Sequence, residues 1–135
     1  MTEEAFDFWQ DHSLNYLNMA LSVERREQVE NPDGYGKRTG DCGDSVEFFL
    51  RVKGDRIEAV SFDIDGCMNT NASAATVAMM AHGKTLKEGW KISENDVIEY
   101  LETLQEKSHH CAELAVGAFY LALSDVQKKK KAGWI

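Results

Sequence analysis

Three thiols, Cys42, Cys67 and Cys111, carry the chemistry that stands out in this chain. Cys42 lies within Gly40-Asp41-Cys42-Gly43-Asp44, where glycines leave room around the sulfur and carboxylates keep the turn at the surface. A free cysteine normally behaves as a small buried hydrophobe, so one held in a polar turn points to a sulfur that is meant to be reached. Cys67 follows Asp65-Gly66 at the end of an alternating apolar run, and Cys111 follows His109-His110 at the expected start of a helix. There, unpaired backbone N–H groups and the positive end of the helix dipole favour a thiolate. Cys42 instead has Asp41 and Asp44 beside it. Those acids disfavour a thiolate unless a cation is present, so they fit a metal site better than a simple nucleophile.

Zinc and iron-sulfur clusters usually take four protein donors, so three converging thiols need a partner. Asp44 and His110 are the candidates, and both stay open. A carboxylate is a harder partner than a thiolate, so such a site would hold its cargo loosely, as delivery requires. By spacing alone the metal signal is modest, since no C-x-x-C pair occurs; the junction positions of all three thiols strengthen it. The other histidines have simpler readings: His109 as a solvated helix-start residue and His82 as a dipole-compensating residue at a helix end.

The elements that must position these groups follow from periodicity. Ser13 is the expected cap of a helix with Leu14, Leu17 and Leu21 on one face, running toward Arg25 and Arg26 and ending by Asn31-Pro32-Asp33-Gly34. Phe6, Phe8 and Trp9 precede it. From Ser45 the period becomes two, with Val46, Phe48, Leu50 and Val52 on one face. After Lys53-Gly54-Asp55 a returning strand over 57–65 places Val60, Phe62 and Ile64 together, giving an antiparallel hairpin. Asn69, Thr70 and Asn71 are candidate caps for a small-residue helix that ends at Gly83. Capping boxes at Thr85–Glu88 and Ser93–Asp96 open two more helices. Ser108 is the expected cap of a last helix carrying Cys111, Leu114, Ala118 and Phe119 and ending in Lys128–Lys131. The predicted fold is α+β, a small antiparallel sheet covered by helices, in one domain over 1–135 with an N-terminal extension of about 1–12 and a basic tail of about 127–135.

A net charge of −8 discourages binding to nucleic acid or anionic membranes. No apolar run approaches the ~20 residues of a membrane span, and the N-terminus lacks a basic leader, so a cytoplasmic protein is expected. An odd number of cysteines argues against a closed disulfide framework.

Taken together, Cys42-Gly43-Asp44, Gly66-Cys67 with Ala72-Ser73 after it, His82-Gly83-Lys84-Thr85-Leu86 and His110-Cys111-Ala112-Glu113-Leu114 resemble the motifs of the U-type iron-sulfur cluster assembly scaffolds, the IscU and NifU N-terminal family. Asn31-Pro32 is similar to the family's N-P after the first helix, and the similarity runs from about Leu14 to Val126. The resemblance implies a scaffold rather than an enzyme. Such a scaffold builds a transient 2Fe-2S cluster on Cys42, Cys67 and Cys111, with Asp44 or His110 completing the set. It implies sulfur delivery by a cysteine desulfurase, with Cys111 as persulfide acceptor, and transfer to apo iron-sulfur proteins or carriers. The alternative it implies is a zinc-binding, SufU-like sulfur acceptor, with zinc in the purified form. The conserved histidine position and the lack of a long insertion between Cys42 and Cys67 favour the IscU/NifU side. Two departures matter. Met68-Asn69-Thr70 stands where the family usually has glycine and serine, and Leu104–Ser108 lacks the proline of the chaperone-recognition segment, which argues against delivery through a dedicated Hsp70. A binding module with incidental thiols is the reading from another class.

Overall fold

The computed structural model describes residues 12–135, so Phe6, Phe8 and Trp9 lie outside the described residues. Helix α1 (Leu14–Ala20) leads to strands β1 (Gly34–Thr39), β2 (Ser45–Lys53) and β3 (Arg56–Asp65), then to α2 (Met68–Ala81), the short α3 (Leu86–Gly89), α4 (Glu94–Leu101) and the long α5 (His109–Lys131). The strands form one antiparallel sheet in the order β1-β2-β3. One face of it carries the helices, as the α+β prediction requires.

The hairpin is where the period-two pattern places it, and Val46, Phe48, Leu50, Val60 and Phe62 are all buried. Ile57 is fully buried too, although its parity is opposite to that of Val60. A register shift at Arg51/Val52 pairs Arg51 with Ala59 and Val52 with Ile57, so the extra residue Glu58 resets the alternation. Phe48 packs edge-on against Phe119 of α5 at 5.7 Å between ring centroids, which joins the sheet to the long helix. Burying rings of this size contributes about 1.5–3 kcal/mol each.

Strand β1 has no counterpart in the sequence reading, which places only a turn there. Its sequence, Gly-Tyr-Gly-Lys-Arg-Thr, has no apolar alternation because its inner face meets backbone rather than side chains. A Cβ on Gly36 would collide with the Ala118 carbonyl oxygen and the Ala122 nitrogen, and one on Gly34 with the Ala122 carbonyl and Val126. Strand and helix therefore touch main chain to main chain.

Helix α1 corrects two expectations. It stops at Ala20, well before Asn31-Pro32, and its buried residues are Tyr16 and Ala20, while Leu14 is 71% exposed and Leu21 53%. Leu17 packs half-buried against the core, but the rest of the buried face is set by Tyr16, Ala20 and polar anchoring rather than by Leu14 and Leu21. Ser13 caps it by accepting from the Tyr16 N–H, and the Asn71 side-chain amide donates to the carbonyls of Met19, Ala20 and Ser22 at its end. Arg25 and Arg26 lie beyond the helix in an extended segment, where the Arg25 carbonyl and the Glu27 N–H bond to Phe62. Both predicted capping boxes are present, at Thr85–Glu88 and Ser93–Asp96.

Gly36→Ala should destabilise the protein by about 1–3 kcal/mol, the usual cost of forcing a methyl into a closed contact. A drop in the urea midpoint with an unchanged m-value checks this.

Candidate metal centre

Asp44, Cys67 and Cys111 each arrive on a different element. Asp44 stands at the end of the β1–β2 turn, which is closed by Gly43 N–H to the Gly40 carbonyl and Gly40 N–H to the Asp44 carbonyl. Cys67 is the N-cap residue of α2, its carbonyl accepting from the N–H groups of Thr70 and Asn71. Cys111 lies in the first turn of α5. The fold brings one carboxylate oxygen of Asp44 and the sulfurs of Cys67 and Cys111 within 4.8 Å of one another. Around a single tetrahedral ion with bonds of about 2.0–2.3 Å, donors sit about 3.3–3.8 Å apart, so a small contraction closes this set.

His110 stands next to Cys111 but, like Cys42, outside the set within 4.8 Å. Its Nδ1 lies 3.0 Å from the Lys107 carbonyl, which can only accept, so the neutral ring carries its proton there. Nε2 is then left with a lone pair, 3.6 Å from the Cys111 sulfur. A backbone carbonyl that fixes the tautomer and orientation of the ring in this way is the usual support of a metal-binding histidine. His109 is instead directed to the Leu104 carbonyl at 3.2 Å.

Cys42 stands outside the set within 4.8 Å. It is exposed, and it lines an open cavity of about 420 Å³ with Arg38, Asp41, His110 and Glu113. Cys67 is exposed as well. Cys111 corrects an expectation: it is only 2% exposed, and burial pushes its thiol up to about 11, with the Thr70 hydroxyl opposing the shift and the charges of Cys67, Asp44 and Cys42 adding to it. Desolvation is the largest cause of that shift, so this thiol is not the exposed thiolate expected at a helix start.

The supporting groups are those the sequence reading did not single out for the site. Thr70, read as a helix cap, is fully buried and donates to Asp44 Oδ2 at 2.6 Å. Gly66 has no room for a side chain: a Cβ would lie 2.8 Å from the Asp44 carboxylate. Asn69 links three elements, accepting from the Tyr16 hydroxyl and donating to Ser108 Oγ at 3.0 Å. Ser108 thus holds α2 rather than capping α5, and its side chain makes no cap bond. Tyr16 is buried under His12, which stacks on it at 4.2 Å, and burial together with the nearby charges of Cys67 and Cys111 raises its pKa. The polar run Met68–Asn71 was the signal for this layer, since a helix start so rich in hydrogen-bonding side chains needs partners.

Two thiols, a carboxylate and an imidazole are donors that zinc and iron both accept, so the residues present fit a metal or cluster. The family model for the NifU-like N-terminal domain matches residues 24–133. The chain belongs to that family. Among curated relatives, it is 35% identical over 120 residues to the iron-sulfur cluster assembly scaffold protein IscU 1 of Archaeoglobus fulgidus, covering 88% of this chain and 74% of that one. It is 34% identical over 128 residues to the scaffold protein IscU of Escherichia coli, covering 84% and 99%. The fold is shared with a putative scaffold protein for the SUF system from Fervidobacterium islandicum, at a TM-score of 0.72 and 21% identity, covering 87% of this chain and 99% of that one. A NifU-like N-terminal protein from Brucella abortus also gives 0.72, at 18% identity, covering 87% and 94%. These relatives are named as cluster assembly scaffolds, and a scaffold role is the one this NifU-like chain shares with them.

The state of Cys111 gives a pH dependence. Its folded pKa lies above its ordinary value of 9.0, so the unfolded chain loses the proton first. The apo protein should therefore keep this contribution to stability below pH 9 and lose it as pH rises toward about 11. Urea unfolding across that range reads the loss. Iodoacetamide on the native apo protein below pH 9 should modify Cys42 and Cys67 before Cys111, as peptide mapping would register.

Proposed function

We propose that this NifU-like chain receives sulfur and iron, assembles a 2Fe-2S cluster as cargo and passes it to apo-proteins, without turning over a substrate of its own. The observation that carries this is the convergence of Asp44, Cys67 and Cys111 from three separate elements, with His110 Nε2 beside them and exposed Cys42 at the mouth. A single ion needs four donors, and the three groups would need His110 to move in beside them to complete that number. A two-iron cluster spreads its ligands over a wider span, and Cys42, exposed on the neighbouring turn, is the thiol for the second iron.

The same geometry assigns tasks to the chain's own residues. Cys42 and Cys67, both exposed, are the thiols that a desulfurase's persulfide meets first. Cys111 becomes an acceptor once the site opens or a cation draws off its proton, since a thiol held at about 11 is a poor nucleophile. Asp44 supplies the harder donor that keeps the cargo releasable. Acceptors of the cluster are apo iron-sulfur proteins or carriers. The acidic balance of the chain and the lack, among the described residues, of a helix long and apolar enough to cross a membrane agree with such exchange in aqueous solution.

A second reading has its own support. Asp44, Cys67 and Cys111, with His110 beside Cys111 as the candidate fourth donor, would make a zinc set without Cys42, which fits a zinc-holding sulfur acceptor that stimulates a desulfurase and never carries a cluster. The two readings differ in what Cys42→Ser does. Anaerobic reconstitution with iron and sulfide should give a visible sulfur-to-iron charge-transfer spectrum in the wild type, abolished or strongly weakened in Cys42→Ser and in Cys67→Ser. Bound zinc that survives Cys42→Ser, with no such spectrum from the wild type, would establish the second reading instead.

A further inference from the structure

Thr70 occupies the centre of the donor set without being one of its sulfur or carboxylate donors. Its hydroxyl oxygen lies 2.6 Å from Asp44 Oδ2, 3.7 Å from the Cys67 sulfur and 3.8 Å from the Cys111 sulfur. A hydroxyl has one proton, and the short distance to Asp44 is that of a charge-assisted O–H···O bond, so the proton is directed there. The Cys111 sulfur is the second, longer acceptor of the same proton, and the contact with Cys67 is one in which either group can donate. The residue is fully buried and fixed in the first turn of α2, three residues after Cys67, on the side that faces α5.

Asp44 itself has little else to orient it. It stands at the end of a glycine-containing turn, is only partly buried, and forms no ion pair among the described residues. Its carboxylate is held from one side by Thr70 and from the other by the missing side chain of Gly66, where a Cβ would meet both Asp44 Oδ2 at 2.8 Å and Thr70 Oγ1 at 3.0 Å. Without the hydroxyl, the natural course for an aspartate at such a turn is to swing into water. The oxygen that Thr70 grips is also the one nearest Cys67, at 3.9 Å, and it retains a lone pair for a cation.

We infer that Thr70 is a positioning residue of the metal centre, whose hydroxyl holds the Asp44 carboxylate turned toward Cys67 and Cys111 so that the oxygen donor is in place before metal or cluster arrives. This inference rests on the scaffold reading only in taking Asp44, Cys67 and Cys111 as the cargo site. Thr70 acts through Asp44. Its effect on binding therefore exists only while Asp44 is present, which a purely structural role for a buried threonine would not produce.

The test is anaerobic titration of the apo protein with Co²⁺, following thiolate-to-cobalt charge transfer and the ligand-field bands, with thermal unfolding of each metal-free variant alongside. Thr70→Val keeps the shape and removes the hydroxyl; it should weaken cobalt binding about tenfold, the lower end of what loss of a supporting hydrogen bond costs a metal site. Thr70→Ser keeps the hydroxyl and should restore binding to within about twofold of the wild type on the same reasoning. In an Asp44→Ala background, Thr70→Val should have no further effect, the mark of two residues acting as one unit. Should Thr70→Val not fold, Thr70→Ala replaces it in the same comparison. Unchanged cobalt affinity in Thr70→Val, or an equal loss with and without Asp44, would overturn the role of Thr70 while leaving the scaffold reading standing. A wild type that gives no thiolate-to-cobalt band would overturn both.

Discussion

The close contact of α5 with β1 is the constraint from which the geometry of the centre follows. Gly34 and Gly36 let the strand lie directly on the helix backbone, and Phe119 reaches past it to Phe48 in the next strand. With the helix seated at that depth and direction, its N-terminal turn, carrying His110 and Cys111, comes level with the turn that joins β1 to β2. The third thiol and the Asp44 carboxylate therefore meet as a consequence of strand-to-helix packing some three turns away. A side chain on either glycine would push the helix away from the strand and carry His110 and Cys111 away from the Asp44 turn.

The second approach to the centre is polar. Asn71 takes the end of α1, while Asn69 takes its Tyr16 and the Ser108 that begins α5. Two neighbouring residues of one helix turn thereby fix two other helices around Cys67. Such buried polar links are favourable only when nearly every partner is satisfied, and removal of one partner costs more than its bond contributed. The arrangement gives the start of α2 one orientation, and Thr70, between the two asparagines, is aimed by the same turn.

Much of the scaffold was legible before any coordinates. The hairpin, both capping boxes, the small-residue helix and the final helix follow from periodicity and cap chemistry, and the family follows from three short motifs standing at the expected element junctions. What escaped was decided by contacts that leave no period. Strand β1 reads as a turn because its inward positions are glycines that touch backbone. The leucines of α1 suggest an apolar face, whereas the helix is docked by Tyr16 and held by Asn71. The bulge at Glu58 hides Ile57 from an alternating pattern. At the site, the donors were legible as residue types, but the helix-start argument for Cys111 took account of the dipole alone, and the depth of burial that reverses it depends on how α5 packs.

The separation of Cys42 from the other donors bears on how such a centre can release what it holds. Cys67, Cys111 and His110 are carried by helices held together through Asn69 and Ser108, and Asp44, although on the same turn as Cys42, is tied to α2 by Thr70. Cys42 is carried by a turn with two backbone hydrogen bonds and with Gly43 at φ +89°, a conformation that side chains rarely adopt. The centre thus combines a rigid half with a half whose position is governed by one short loop. A ligand on the rigid half retains cargo, while a thiol on the loop can approach or withdraw at the small cost of rearranging a few residues. Rigid ligation on all sides would make the cluster a resident electron carrier. If the chain carries a cluster as proposed above, ligation divided in this way would let one thiolate be exchanged for a ligand of the receiving protein before the others let go, the order of events that transfer without loss of iron requires.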